Sequence, residues 1–141
     1  MKKTSLCVTL SIVLGTLSFG AHAGQSTFDQ FGGQPGITKV VDDFVATVAN
    51  DPRINHFFAH ANITRLKEKL VEQICSATGG GCTYTGLSMT AAHSGMGVKS
   101  TDFNALVEDL MSAMKADNIP TEAQNALLKG LAPLKKDIVT Q

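Results

Sequence analysis

The chain has 141 residues, with twelve Lys and Arg against twelve Asp and Glu, for a formal net charge of zero. That length suits one domain, and the even charge, with no basic stripe, excludes the electrostatic footprint of a nucleic-acid binder. Three cysteines and four histidines are all that is available for redox or metal chemistry.

The first segment, "MKKTSLCVTLSIVLGTLSFGAHAG", is expected to be a secretory signal rather than part of a fold. Lys2 and Lys3 precede an apolar run, and Ala21-His22-Ala23 supplies an A-x-A cleavage site. The run is too short to read first as a membrane anchor. Residues 1–23 are therefore taken as the signal peptide and 24–141 as the domain. The expected mature chain is exported, periplasmic or secreted, with no stable membrane anchor. Removing Lys2 and Lys3 leaves ten basic residues against twelve acidic ones, a net charge of about −2. Cys75 and Cys82 are then the only cysteines. In an oxidising compartment a Cys75–Cys82 disulfide is expected, since no third or fourth ligand stands nearby at zinc spacing.

Strand signals are nearly absent, and apolar residues recur at helical spacing. Ile37, Val40, Val41, Phe44, Val45 and Val48 make one face; Pro35 suits its first turn, and Asn50-Asp51-Pro52 ends it. A short segment from Ile54 to Ala59 holds Phe57 and Phe58. Asn62 is placed to cap the next helix, whose inner face reads Ile63, Leu66, Leu70, Ile74 and which stops at Gly79-Gly80-Gly81. A loop and a short helix from about Ser88 to Ser94 follow. Ser100 or Thr101 can cap the next stripe: Phe103, Leu106, Val107, Leu110 and Met114. The last helix carries Leu127, Leu131, Leu134 and Ile138, with Pro133 set to kink it. The expectation is an all-α domain of four sizeable helices and two short ones. The glycine-rich stretch 79–100 has little apolar surface of its own, which a large apolar ligand packed against it would explain.

His93 lies in that stretch. Met89 shares its helix face. Ala91, Ala92 and Ser94 are small enough for a flat object to approach the backbone. Gly95 and Gly97 permit a tight turn, and Met96, Val98 and Phe103 offer apolar contacts. A neutral imidazole in an apolar cleft is a good ligand for haem iron. A histidine held in the core by a hydrogen bond is the alternative reading.

From about Phe28 to Val139 the chain resembles a truncated haemoglobin of the first group. "FDQFGGQPGITKVVDDFVATV" is similar to the family's opening, with Gly32-Gly33 its paired glycines. "DPRINHFFA" resembles the segment bearing the haem-stacking phenylalanine, which falls on Phe58. "TGGGCTYTGLSMTAAHSGMGV" resembles the second glycine motif and proximal helix, and "APLKKDIV" the closing helix. The resemblance implies a shortened globin fold, a 2-on-2 helical sandwich around haem b, with His93 as proximal iron ligand. By position it assigns cofactor contacts to Met89, Met96, Val98, Phe103, Leu106 and Leu131, and to Phe44, Leu66 and Leu70 around the distal side. No C-x-x-C-H motif is present, so non-covalent haem is expected.

The sequence departs from the family on the distal side. Many relatives carry a tyrosine after the phenylalanine of the second helix and glutamines on the distal helix; here those positions are Val45, Leu66 and Leu70. A hydrogen bond to a charged acceptor contributes about 1.5–3 kcal/mol. Its loss should speed dioxygen release roughly 10- to 100-fold, with carbon monoxide and nitric oxide less affected. Lys69, at the edge of the haem-facing stripe, has two readings: a sixth iron ligand through its neutral amine, or a snorkelling cation pairing with a haem propionate. His56 and His60 are expected to face solvent.

The resemblance implies reversible binding of O2, NO or CO by a monomer. The alternatives are nitric oxide dioxygenation or peroxidase chemistry, electron transfer with Lys69 as sixth ligand, and a haem-free helical module. Dioxygenation and electron transfer need an unidentified electron donor, and no flavin or nicotinamide motif is present. A peroxidase wants a distal acid–base group, which Leu66 and Leu70 do not supply. Binding is therefore preferred to catalysis.

Overall fold

The structure, a computed structural model, describes residues 24–141; the expected signal peptide and its cleavage site lie outside the described residues. Among those residues every regular element is helical. Helix α1, Thr27–Gln30, is a single turn that the apolar pattern does not announce, capped by the Ser26 hydroxyl accepting from the Asp29 N–H. It is pinned to the far end of a later helix by the Phe28 N–H, which donates to the Thr78 carbonyl at 3.1 Å.

Helix α2, Gly33–Asn50, buries all six residues of its stripe: Ile37, Val40, Val41, Phe44, Val45 and Val48. Their recurrence every three to four residues puts them on one side of the helix. Gly36 lets α1 and α2 approach, because a Cβ there would collide with the Phe31 carbonyl. After Pro52 a 3-10 turn, Asn55–Phe58, carries the paired phenylalanines. Helix α3, Ile63–Ala77, starts as expected: the Asn62 side chain accepts from the Arg65 N–H at 3.0 Å. It ends at Thr78, whose hydroxyl turns back to the Ile74 carbonyl, one residue before the glycines.

The glycine-rich stretch has one short helix, α4, Met89–His93, capped by Ser88. Helix α5, Ser100–Ala116, begins one residue earlier than a Ser100 cap would have it and two earlier than a Thr101 cap would. Lys99 is the cap, because the Asp102 carboxylate accepts its backbone N–H at 2.9 Å and neutralises the exposed first turn. Helix α6, Thr121–Leu131, gives way to a 3-10 turn, Ala132–Leu134, and then α7, Lys135–Ile138. Pro133 lacks the N–H an uninterrupted helix would use there, so the expected kink takes the form of this break.

Helix α2 packs on α3 and on α5, α3 reaches α6, and both α4 and α5 meet α7. Two helical layers result, α2 with α3 and α5 with the α6–α7 arm. The core lies between them at Ile37, Val40, Val41, Met114 and Leu127, all essentially inaccessible. Cys75 and Cys82 stand with Cα atoms 5.6 Å apart, at bonding distance through their sulfurs.

An extra methyl at Gly36 must displace backbone rather than a flexible side chain. Gly36→Ala should lower unfolding stability by about 1–3 kcal/mol, read as a lower urea midpoint with unchanged helical circular dichroism.

Candidate functional site

The outer halves of the stripes do not close on one another. Ile74 is buried, yet Leu66 and Leu70 on the same face of α3 are only partly so; Phe103, Leu106 and Val107 of α5 behave alike. Between them lies a cavity of about 830 Å³. One wall carries Phe44, Phe58, Leu66 and Leu70; His93, Met89 and Met96 come from α4 and its exit; Phe103, Leu106 and Leu131 complete the lining. These residues are remote in sequence and come together only because α2 holds α3 and α5 apart at its two sides.

Val98 is the exception among the residues assigned to the cofactor. It is buried but does not border the cavity. Its carbonyl accepts from the Thr140 and Gln141 N–H groups at 3.0 and 3.3 Å, so it ties the loop after α4 to the chain's last residues. The preceding turn passes through Gly95 and Gly97, with φ of +76° and +67°, where a Cβ would be strained.

His93 is held by one bond: its Nδ1 lies 2.8 Å from the Met89 carbonyl oxygen. A carbonyl can only accept, so Nδ1 carries the proton and Nε2 keeps its lone pair. The bond follows from the i, i+4 spacing of Met89 and His93 in a helix of a single turn. Both alternatives for His93, core hydrogen bond and ligand, therefore meet in one geometry. His56 and His60 are exposed, as expected, and His56 stacks on Phe57 with ring centroids 4.1 Å apart.

Lys69 sits in the cavity wall, yet its ammonium is engaged elsewhere. It donates to Glu72 at 2.8 Å and to the Thr85 hydroxyl at 2.6 Å. The structure thus gives it a partner that neither sequence reading named, an acid three residues on in its own helix. Glu72 also accepts the Thr85 N–H at 2.9 Å. The Lys69 ammonium first, and the Thr85 N–H second, pull the Glu72 carboxyl down to about 2 from its ordinary 4.5.

Sequence reasoning missed several lining residues. Gln73 follows Leu66 and Leu70 at helical spacing, and Asn104 and Glu108 are one turn apart beside Phe103 and Val107. Extending each stripe to its polar neighbours would have found them. Tyr84 lines the cavity from an irregular segment that has no period to read, its hydroxyl donating to the Leu87 carbonyl. Near the opening, Lys135 Nζ lies 5.5 Å from the Phe103 ring centroid and donates to Asn104. On the wall opposite His93, Phe44, Leu66 and Leu70 offer no hydrogen-bond donor. Val45 is buried in the core and does not border the cavity.

Residues 26–140 match the bacterial-like globin family. Over 115 residues the chain is 35% identical to the group 1 truncated hemoglobin GlbN of Mycolicibacterium paratuberculosis, covering 82% of this chain and 85% of that one. The chain belongs to the group 1 truncated haemoglobins. The protein of that group from Synechocystis sp. is 29% identical over 120 residues, covering 81% of this chain and 97% of its own. The crystal structure of the truncated hemoglobin from Tetrahymena pyriformis in its Fe(III) form has a TM-score of 0.79 to this globin. The two are 26% identical, over 83% of this chain and 100% of that one. The two-layer helical arrangement is therefore that of a 2-on-2 globin.

A haem cofactor goes with the globin family, and the cavity of this globin suits one on its own chemistry. Its walls are apolar, as a porphyrin face requires. One imidazole with a free Nε2 stands among them. Cations, Lys69 and Lys135, stand at the cavity wall and beside Phe103, where carboxylates on a porphyrin edge can find them.

The depressed Glu72 carboxyl makes part of the stability pH-dependent. Its contribution is fully present above about pH 4.5 and lost as pH falls towards about 2, because the native state must then give up its ion pair. The urea midpoint of wild type should exceed that of Glu72→Gln at about pH 6, and the two should converge by about pH 2.

Proposed function

We propose that this globin is an exported haem b protein that binds diatomic gases reversibly, with His93 as proximal ligand. The observation that carries the reading is the 2.8 Å bond from His93 Nδ1 to the Met89 carbonyl. It fixes the tautomer that leaves Nε2 available and holds the ring at a set angle in the cavity wall. Haem held by His93 would supply an iron able to bind a diatomic gas. Met89, Met96, Phe103, Leu106 and Leu131 pack its faces on the proximal side; Phe44, Phe58, Leu66 and Leu70 exclude water on the other. Non-covalent attachment is supported by the absence of a C-x-x-C-H motif.

Val45, Leu66 and Leu70 stand where relatives carry the usual donors, and the Gln73 amide is turned to the Met89 sulfur; this favours gases that need little polar help and supports binding over peroxidase chemistry, which needs an acid–base group beside the ligand. The electron-transfer alternative, with Lys69 as sixth ligand and an unidentified electron donor, is less well supported, since the Lys69 ammonium is bonded to Glu72 and Thr85. The protein is read as a monomer. Export, to the periplasm or beyond, rests on the amino-terminal sequence. The Cys75–Cys82 disulfide belongs to the same reading: it would tie the end of α3 to the segment leading into α4, worth about 2–3 kcal/mol for a loop this short.

The visible spectrum of the exported protein tests the reading. A Soret band should appear, be lost in His93→Ala and be restored by added imidazole; no Soret band after adding haemin would overturn it. Leu70→Gln, which puts a donor on the distal wall, should slow dioxygen dissociation by roughly 10- to 100-fold while changing carbon monoxide release far less, as stopped-flow displacement would show. Mass spectrometry without reductant should find the mature chain lighter by two hydrogens, and export with cleavage after Ala23 should give its amino terminus as Gly24.

A further inference from the structure

Lys69 is set on α3 between Leu66 and Leu70, the two residues that face the proximal side across the cavity. Its side chain has four methylenes and the reach to swing inwards. Instead it is caught in a closed set of bonds. Glu72 Oε1 accepts its ammonium at 2.8 Å, and Thr85 Oγ1 accepts it at 2.6 Å. Glu72 Oε2 in turn accepts the Thr85 N–H and the Thr85 hydroxyl, each at 2.9 Å. Thr85 is not part of a helix; it lies in the segment between Cys82 and α4. The same lysine borders a small polar recess with Arg65, Glu68 and Thr85, on the outer side of the clasp.

We propose that Glu72 and Thr85 are positioning residues that hold the Lys69 ammonium at the rim and so keep the coordination position opposite His93 open. The inference rests on the haem reading above. An ammonium donating to a carboxylate has no lone pair to offer a metal. Removing the acceptor frees that ammonium on a flexible stem beside an apolar cavity, where it can give a proton to solvent and offer the resulting lone pair to the iron the cavity would hold. The two arrangements compete, and the carboxylate decides between them. Thr85 adds a second consequence: loss of the Glu72 carboxylate that releases Lys69 also removes the acceptor of the Thr85 N–H and hydroxyl, and so loosens the segment that leads into the proximal helix.

The test uses the full-length exported protein loaded with haem, comparing wild type with Glu72→Gln and Thr85→Val. Resonance Raman and visible spectra of the ferrous form report coordination directly. Wild type should be five-coordinate and high-spin. Glu72→Gln should become mostly six-coordinate and low-spin, and its carbon monoxide association should slow by roughly tenfold or more, because an internal ligand must leave first. Thr85→Val should shift the same way by less, since it removes one of the two acceptors. Adding Lys69→Arg to Glu72→Gln should return the wild-type spectrum, because a guanidinium stays protonated and cannot coordinate. Far-UV circular dichroism checks that each variant is folded, and Thr85→Val carries the test alone if Glu72→Gln is not. A folded variant whose spectrum and carbon monoxide rate match wild type overturns the clasp and leaves the haem reading standing. A wild type already six-coordinate through Lys69 does the same. A wild type with no Soret band overturns both.

Discussion

A cavity in the middle of the molecule is the constraint on which the rest depends. Helix α2 buries its whole stripe, and only Phe44 of it also borders the cavity. The stripes of α3, α5 and α6 each divide: Met114 and Leu127 join the core, Ile74 and Leu110 are buried at its border with the cavity, and Leu66, Leu70, Phe103, Leu106 and Leu131 surround a hole. Apolar surface withheld from water contributes about 25 cal/mol per Å², and a lining that faces a void withholds less than it could. A flat apolar occupant completes the burial. Because it binds only the folded chain, it stabilises that chain by mass action.

The chain handles the polar requirements of such a site at its edges. Inside, one nitrogen of the His93 imidazole is already satisfied by Met89, the Gln73 amide reaches the Met89 sulfur, and Asn104 and Glu108 accept from Lys135 and Arg53. Charge is kept to the opening, where Lys69, Glu72 and Thr85 satisfy one another. Glu72 thereby links α3 to the segment before α4, and Cys75 and Cys82 bring the same two elements together one turn further on. Both ties run from the distal helix to the approach of the proximal one, across the longest stretch without regular structure among the described residues.

Much of this was legible in the sequence because helices advertise themselves by period. The six apolar positions of α2, the Asn62 cap, the break at Pro133 and the short helix bearing His93 all follow from local rules. Every residue that the resemblance assigned to the cofactor, Val98 excepted, lies on the cavity lining, since the order of glycines, phenylalanines and histidine is itself a map of the fold. The failures have physical causes. Val98 is apolar and adjacent to the site in sequence, but Gly97 turns the chain and aims its neighbour into the core. The Lys69–Glu72 pair has the i, i+3 spacing that a helix brings together and was legible; the Thr85 contact was not, because Thr85 comes from an irregular loop and no periodicity reports which loop residue will meet a helix. Tyr84 escaped for the same reason, and α1 because a single turn has no period to detect.

Helix α4 has five residues and no buried side chain, and rests chiefly on α7, itself one turn long. The His93 imidazole is thus mounted on a compliant bracket rather than on a rigid beam such as α2. A shallow mount lets the ring travel with whatever it holds at small elastic cost. The placing of that ring therefore depends on the closing turn of the fold as well as on its own helix, through the α4–α7 contact and the Pro133 break that sets where α7 lies.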